Sequence, residues 1–407
     1  MKPIRVRMPF VVSAVALTLL VAGCAPTQEE TPPQPVRGPL ELSIGALVPD
    51  TGSIDYAGPA SRAAVQLAVD DINSAGFPIT VSVEFRDSGD VTNNVGQTST
   101  TELLDLGVDA IVGPISNGVS RTIIDSVIAA GVPLVSPGID ATDFCAFDDE
   151  GFYWRTSAPC TLQSATLAQQ IADTGAKTAG VVATESGCAE PLVSAITTAL
   201  QRLDVEVTSS TVVGEGASID PGSIGLTPDA QDAVAVVSRD LPQAVTPLEG
   251  AGFASNELFF ALPTPRDYSA DLPEGALLGT TVTRAGVNPY AIEGFADRIR
   301  SIDAGVSDLT YAVETYDAVV LVALASFEVN STVGRDIAGA IQDVSGGAEG
   351  AVPCATFAAC AASIAETGVA DYDGLSGGIA FADNGDPTGA VIGIYVGKRD
   401  NTFERVN

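Results

Sequence analysis

Two hydrophobic periods alternate along this chain, a strand period and then a helix period, and the alternation runs through the first part and then starts again. In "LELSIGALVP", Leu42, Ile44, Ala46 and Val48 alternate as in a strand. After a loop, Pro59 stands where a first helical turn tolerates it. "ASRAAVQLAVDDINSAG" then places Ala64, Leu67, Ala68 and Ile72 on one face until Gly76 ends the run. "ITVSVEFRDS" predicts a strand, "TSTTELLDLGV" a helix, "DAIVGP" a strand, "GVSRTIIDSVIAAG" a helix and "VPLVSPG" a strand. Strands separated by helices pack as a parallel sheet with crossovers. The same order resumes with a helix at "TLQSATLAQQIADTG" and reaches a last strand at "LFFALP", through "TAGVVATES", "PLVSAITTALQRL", "VEVTSSTVVG", "DAVAVVSRD" and "PQAVTPLEGAG". The join, "GFYWRTSAP", is extended and aromatic. The fold class that follows is α/β, two doubly wound lobes linked by strands. Their crevices lie beyond the carboxyl ends of the strands and face each other as one cleft.

The N-terminus has a different grammar. Lys2, Arg5 and Arg7 precede an uncharged run from Pro9 to Ala22, fourteen residues long and short of the roughly 17 that span a bilayer as a helix. Charge, apolar run and small residues in that order make residues 1–23 a secretory signal peptide. Leu20, Val21, Ala22, Gly23 and Cys24 resemble the bacterial lipobox. That resemblance implies a diacylglyceryl thioether on Cys24 and anchoring of the mature protein to a membrane; the other role open to Cys24 is a buried or disulfide cysteine. Residues 24–39 carry Pro26, Pro32, Pro33, Pro35 and Pro39 with few apolar side chains, the composition of an extended tether. The folded part begins at Leu40, and its length suits two lobes better than one core.

Composition removes several function classes. The formal charge is −32, and no basic stripe offers a seat for nucleic acid. The chain has no histidine, which excludes Ser-His-Asp and Cys-His catalysis, His-ligated zinc and an HExxH helix. No cofactor or metal motif is present, and the expectation is a protein that is not an enzyme. Besides Cys24 there are five cysteines. Cys354 and Cys360 are close enough in sequence to close a small loop, and of Cys145, Cys160 and Cys188 at most one pair forms.

"IGALVPDTGSIDYAGPASRAAVQLAVDDINSAG", "VDAIVGPISNGVS", "GVPLVSPG", "FYWRTSAP", "ETYDAVVLVALA" and "GGIAFADNGDPTG" resemble the branched-chain amino acid binding protein family, type I periplasmic binding proteins that serve ABC importers. The match spans most of Leu40 to Gly397. It implies two Rossmann-like lobes joined by three crossovers, the second near Gly279 to Arg284 and the third near Asp373 to Ile379. Lobe 1 is expected at 40–153 plus 284–372 and lobe 2 at 154–283 plus 373–407. By the same resemblance Ser116, Asn117 and Gly118, then Gly138, Ile139 and Asp140, form two first-lobe loops at the ligand, with Tyr56 at the cleft mouth. Cys188, Arg239 and Thr264 answer to second-lobe positions. Asp140 stands where relatives often have a hydroxyl, and its carboxylate repels a ligand carboxylate unless turned away. Arg239 replaces a tyrosine, and no acid matches the usual ammonium partner, although Asp267 is close by. The implied ligand carries an anionic group met by Arg239 and by Arg266. Other roles are open: Arg239 as an interlobe salt bridge, Asp140 as a helix cap, and Tyr153 as crossover packing. The alignment puts Cys160 and Cys188 near one rim, which implies a disulfide and leaves Cys145 spare.

The expected function is that of a monomeric, extracytoplasmic solute-binding lipoprotein. It would take a small polar solute, an amino acid, amide or organic acid, into the interlobe cleft by hinge closure and deliver it to ABC permease subunits. A ligand-sensing receptor of the same fold is the alternative.

Overall fold

The computed structural model describes residues 37–407 apart from 185–186, 215–216, 263 and 347–349; the signal-peptide and Cys24 expectations lie outside the described residues. The chain opens with β1 (Leu40–Val48), α1 (Gly58–Ser74), β2 (Ile79–Asp87), α2 (Val95–Leu106), β3 (Ala110–Val112), α3 (Asn117–Ala130), β4 (Leu134–Ser136) and β5 (Tyr153–Arg155). These five strands form one parallel sheet in the order β2-β1-β3-β4-β5. The inner strands β3 and β4 are buried on both faces, whereas the start of edge strand β2 alternates buried and exposed residues. That contrast is what a sheet covered by helices on both sides requires.

Next come α4 (Ser164–Asp173), β6 (Thr178–Ala183), α5 (Ala189–Arg202), β7 (Glu206–Val212), β8 (Ala233–Val237), α6 (Leu241–Gly250), β9 (Leu258–Ala261) and β10 (Thr281–Ala285). The remainder is α7 (Phe295–Ile302), α8 (Ala312–Val329), α9 (Gly334–Ala340), β11 (Pro353–Cys354), α10 (Phe357–Thr367), β12 (Asp371–Gly374), β13 (Gly377–Gly378), β14 (Ile392–Gly397) and β15 (Phe403–Arg405). The second sheet runs β15-β14-β10-β9-β8-β6-β7. Its strands β6 to β10 are mutually parallel, β14 adds antiparallel to β10, and β15 adds antiparallel to β14. Three short strands, β11, β12 and β13, make a small third sheet.

The chain leaves the first sheet after β5, returns after β10 so that α7 and α8 pack on α1, and leaves again after β13 to place β14 beside β10. α8, "AVETYDAVVLVALASFEV", is buried through most of its length against α1 and the first sheet. No described helix is long and apolar enough to cross a membrane. Each sheet has a core on both faces, one pair of clusters around β1 and β3, the other around β6 and β8.

Several turns that shape the cleft follow from single residues. Ser116 caps α3 by accepting a hydrogen bond from the Val119 amide, and Asp240 caps α6 through the Gln243 amide at 3.0 Å. Gly113, at φ +99, precedes the first of these loops; a Cβ there would run into the Leu47 carbonyl, so only glycine fits.

Candidate functional site

A cleft of about 930 Å³ opens where the strand ends of the two sheets converge. Gly138 and Asp140 reach it from the loop after β4, Arg239 from the loop after β8, Thr264 and Arg266 from beyond β9, Arg284 from the end of β10, and Tyr311 and Glu314 from the start of α8. Charged residues at the carboxyl ends of parallel strands point into such a crevice for geometric reasons.

Two polar clusters organise it. In the first, Arg239 donates through Nη2 to both Asp140 carboxylate oxygens, at 2.7 and 2.8 Å. Asn117 Nδ2 donates to the same carboxylate at 2.9 Å, and Asn117 Oδ1 accepts the Asp140 and Ala141 amides. Burial alone would raise the Asp140 carboxyl; Arg239 and Asn117 outweigh it and hold the group below the ordinary carboxylate range. The repulsion expected from Asp140 is thereby cancelled within the protein. Asp140 does not cap the following helix, because its carboxylate is turned to Arg239 instead, and Arg239 makes the interlobe salt bridge.

The second cluster lies around β10 and the N-terminus of α8. Arg284 Nη1 donates to Thr264 Oγ1 at 2.8 Å, and its guanidinium carbon sits 5.1 Å from the centre of the Tyr311 ring. Tyr311 occupies the N-cap of α8 at φ +65, a conformation unusual for a bulky residue. No carboxylate comes within ion-pair distance of Arg284 among the described residues. Burial works against its charge, but Tyr311, Tyr56 and Glu314 outweigh that and raise it. Burial also pushes the Glu314 carboxyl up to about 7, against the pull of Arg284.

The other expected residues fall in varied places. Gly138, Asp140, Arg239 and Thr264 line the cleft. Tyr56, 42% exposed, is not among the residues lining the cleft, although it acts electrostatically on Arg284 and Tyr311. Asn117 stands behind Asp140, and Ser116 is spent on the α3 cap. Gly118 packs against Val91, where a Cβ would collide with it. Ile139 turns into the core, and only its carbonyl is used, by Arg155 and Ser157. The Cys188 sulfur is at bonding distance from Cys160 and wholly buried, so it offers nothing to a ligand. Cys354 and Cys360 are joined likewise, and Cys145 is unpaired beside Arg155. Tyr153 is fully buried and stacks on Phe144 at 5.1 Å, so it packs the crossover. Arg266 is held on its own loop by Asp271 and the Tyr268 ring, and Asp267 accepts the Ser269 amide. Arg284, Tyr311 and Glu314 were missed as site residues. A lone arginine ending the strand "TTVTRAG" and a lone glutamate opening the apolar helix "ETYDAVVLVALA" were the available signals.

Residues 41–361 match the profile of the periplasmic binding protein family. The chain belongs to that family. Members of this family are extracytoplasmic solute-binding proteins of the ABC transporter type, not enzymes. The chain is similar to the chemotactic signal transduction system substrate-binding protein BasB of Halobacterium salinarum, 25% identical over 298 residues, which are 70% of this chain and 68% of that protein. It shares its fold with the leucine-binding protein LivK of Thermotoga maritima, with a TM-score of 0.66 at 16% identity over 90% of this chain and 98% of that one. A solute-binding protein of R. palustris in complex with 4-hydroxybenzoate gives a TM-score of 0.69 at 13% identity, over 90% and 96%. This periplasmic binding protein has the type I architecture of those structures, with two doubly wound lobes.

Proposed function

We propose that the protein is a lipid-anchored solute-binding protein that closes its cleft on a small carboxylate-bearing solute and presents it to ABC permease subunits. The observation that carries this reading is Arg284, a cation in the cleft that, among the described residues, touches a hydroxyl and an aromatic face and has no carboxylate within ion-pair distance. A desolvated cation without a counter-ion is unfavourable, and a bound carboxylate supplies one. Thr264 holds one end of the guanidinium, and Arg284 lines the cleft. Arg239, the anion partner expected from the sequence, is matched by Asp140, and Arg284 takes that role. Relatives of this fold bound to leucine and to 4-hydroxybenzoate have a carboxylate in common, which supports the class.

Calorimetric titration of the purified protein with leucine, 4-hydroxybenzoate and their primary amides tests this. A carboxylate should bind while its amide does not, and Arg284→Met should weaken binding about 100-fold, the loss typical of a truncated buried charge pair. Equal affinity for acid and amide would refute the role of Arg284.

A second reading keeps the cleft and changes its output. Similarity to BasB, which is named for chemotactic signalling, favours sensing, in which a membrane transducer, not a permease, receives the closed form. Cross-linking of the liganded protein in membranes, followed by identification of the captured partner, separates the two.

A further inference from the structure

Four arginines line the cleft, Arg239, Arg266, Arg284 and Arg405; of these Arg239 and Arg284 share one electrostatic field, in which Arg239 opposes the charge of Arg284 and both act on Tyr311. Of that pair, only Arg239 has a carboxylate of the described residues within ion-pair distance, that of Asp140. We infer that Asp140 is a specificity-determining residue, an internal anion that occupies Arg239 and thereby restricts the cleft to solutes with one carboxylate, excluding dicarboxylates. This rests on the reading that Arg284 receives a solute carboxylate.

Three observations support it. The pairing is built into the fold from both sides. Asn117 grips the Asp140 carboxylate and the Asp140 amide together, while Arg155, fully buried and ion-paired with Asp386, holds the carbonyls of Ile139 and Ala141 on either side. Asp140 is therefore not a side chain that swings aside at small cost. The cleft, at about 930 Å³, is large enough for a solute that reaches from Arg284 towards Arg239, so size alone does not exclude a second carboxylate. Charge does: with Asp140 in place, a second solute carboxylate near Arg239 meets an arginine already neutralised and a carboxylate at short range. Glu314, another acid lining the cleft, adds further negative charge once it ionises above about pH 7.

Removing the internal anion should widen specificity. In titrations of the full folded protein, Asp140→Ala is expected to bind succinate or glutarate at least tenfold more tightly than the wild type does, a larger gain than for the matching monocarboxylate. Asp140→Asn, which keeps the shape and the bond to Asn117, should show the same gain and guards against a folding defect in the alanine variant; melting curves of both report on folding. Adding Arg239→Met to either variant should abolish the gain, because the new carboxylate site is Arg239. A wild type that binds dicarboxylates as well as monocarboxylates would overturn the inference, as would folded Asp140 variants without any gain. A wild type whose solute binding survives Arg284→Met undermines instead the assignment of Arg284, so the two failures read differently.

Discussion

Burial raises the Glu314 carboxyl from an ordinary value of 4.5 to about 7, with Arg284 opposing the shift and Asp317 adding to it. The folded protein thus keeps a proton that the unfolded chain gives up near 4.5. The stability this contributes is fully present below that value and is lost as pH rises to about 7. For Glu314 alone the loss is on the order of 3 kcal/mol. Glu328, also raised to about 7, by burial first and then by Asp343, acts in the same direction. Urea unfolding of the unliganded protein should therefore show lower stability at pH 8 than at pH 5, and Glu314→Gln should shrink that difference without removing it. An undiminished difference in the variant would place its cause outside the cleft. At this scale the sequence showed which side chains were present but not their partners. Asp140 and Arg239, 99 positions apart, look in the sequence like two independent candidates, and their bond answers both questions at once.

Among the elements, the strands β1 to β9 and the helices α1 to α6 were legible, because periods of 2 and 3.6 are local properties. Pro59, Ser116 and Asp240 mark helix starts by their own chemistry. The strands β11 to β13 and the pair β14 and β15 were not read, nor were β10 and the helices α7 to α10. The first three have two to four residues each, too few to show a period. β14 and β15 are defined by the neighbours they find beyond the third crossover. The link between Cys160 and Cys188 staples the start of α4 to the start of α5 beside the cleft, with the two Cα atoms 6.3 Å apart and 28 positions between them in sequence. A loop of that length corresponds to about 3.5 kcal/mol of stability in the chain-entropy account. Replacing both by alanine should lower unfolding stability by an amount of that order, measured in denaturant without reductant. A loss below about 1 kcal/mol would show that the bond constrains little.

On the scale of the whole molecule, the proposed reading makes Cys24 and the tether decide where the cleft works. In the proposed reading Cys24→Ser releases the protein into the medium with solute affinity unchanged, and retention of the variant on membranes would refute the anchor. The sequence by itself determined the α/β class, the two-lobed order of elements, the absence of histidine chemistry and, through several motifs in series, the family. Each of these depends on residue type or on spacing within a short window. Tertiary structure decided which charges meet. Loops from β4, β8, β9, β10 and α8 converge on one cleft. Coulomb energies and desolvation, both set by distance and burial, then make Asp140 the partner of Arg239 and leave Arg284 without an ion-pair partner among the described residues, the place the proposed function gives to a solute carboxylate.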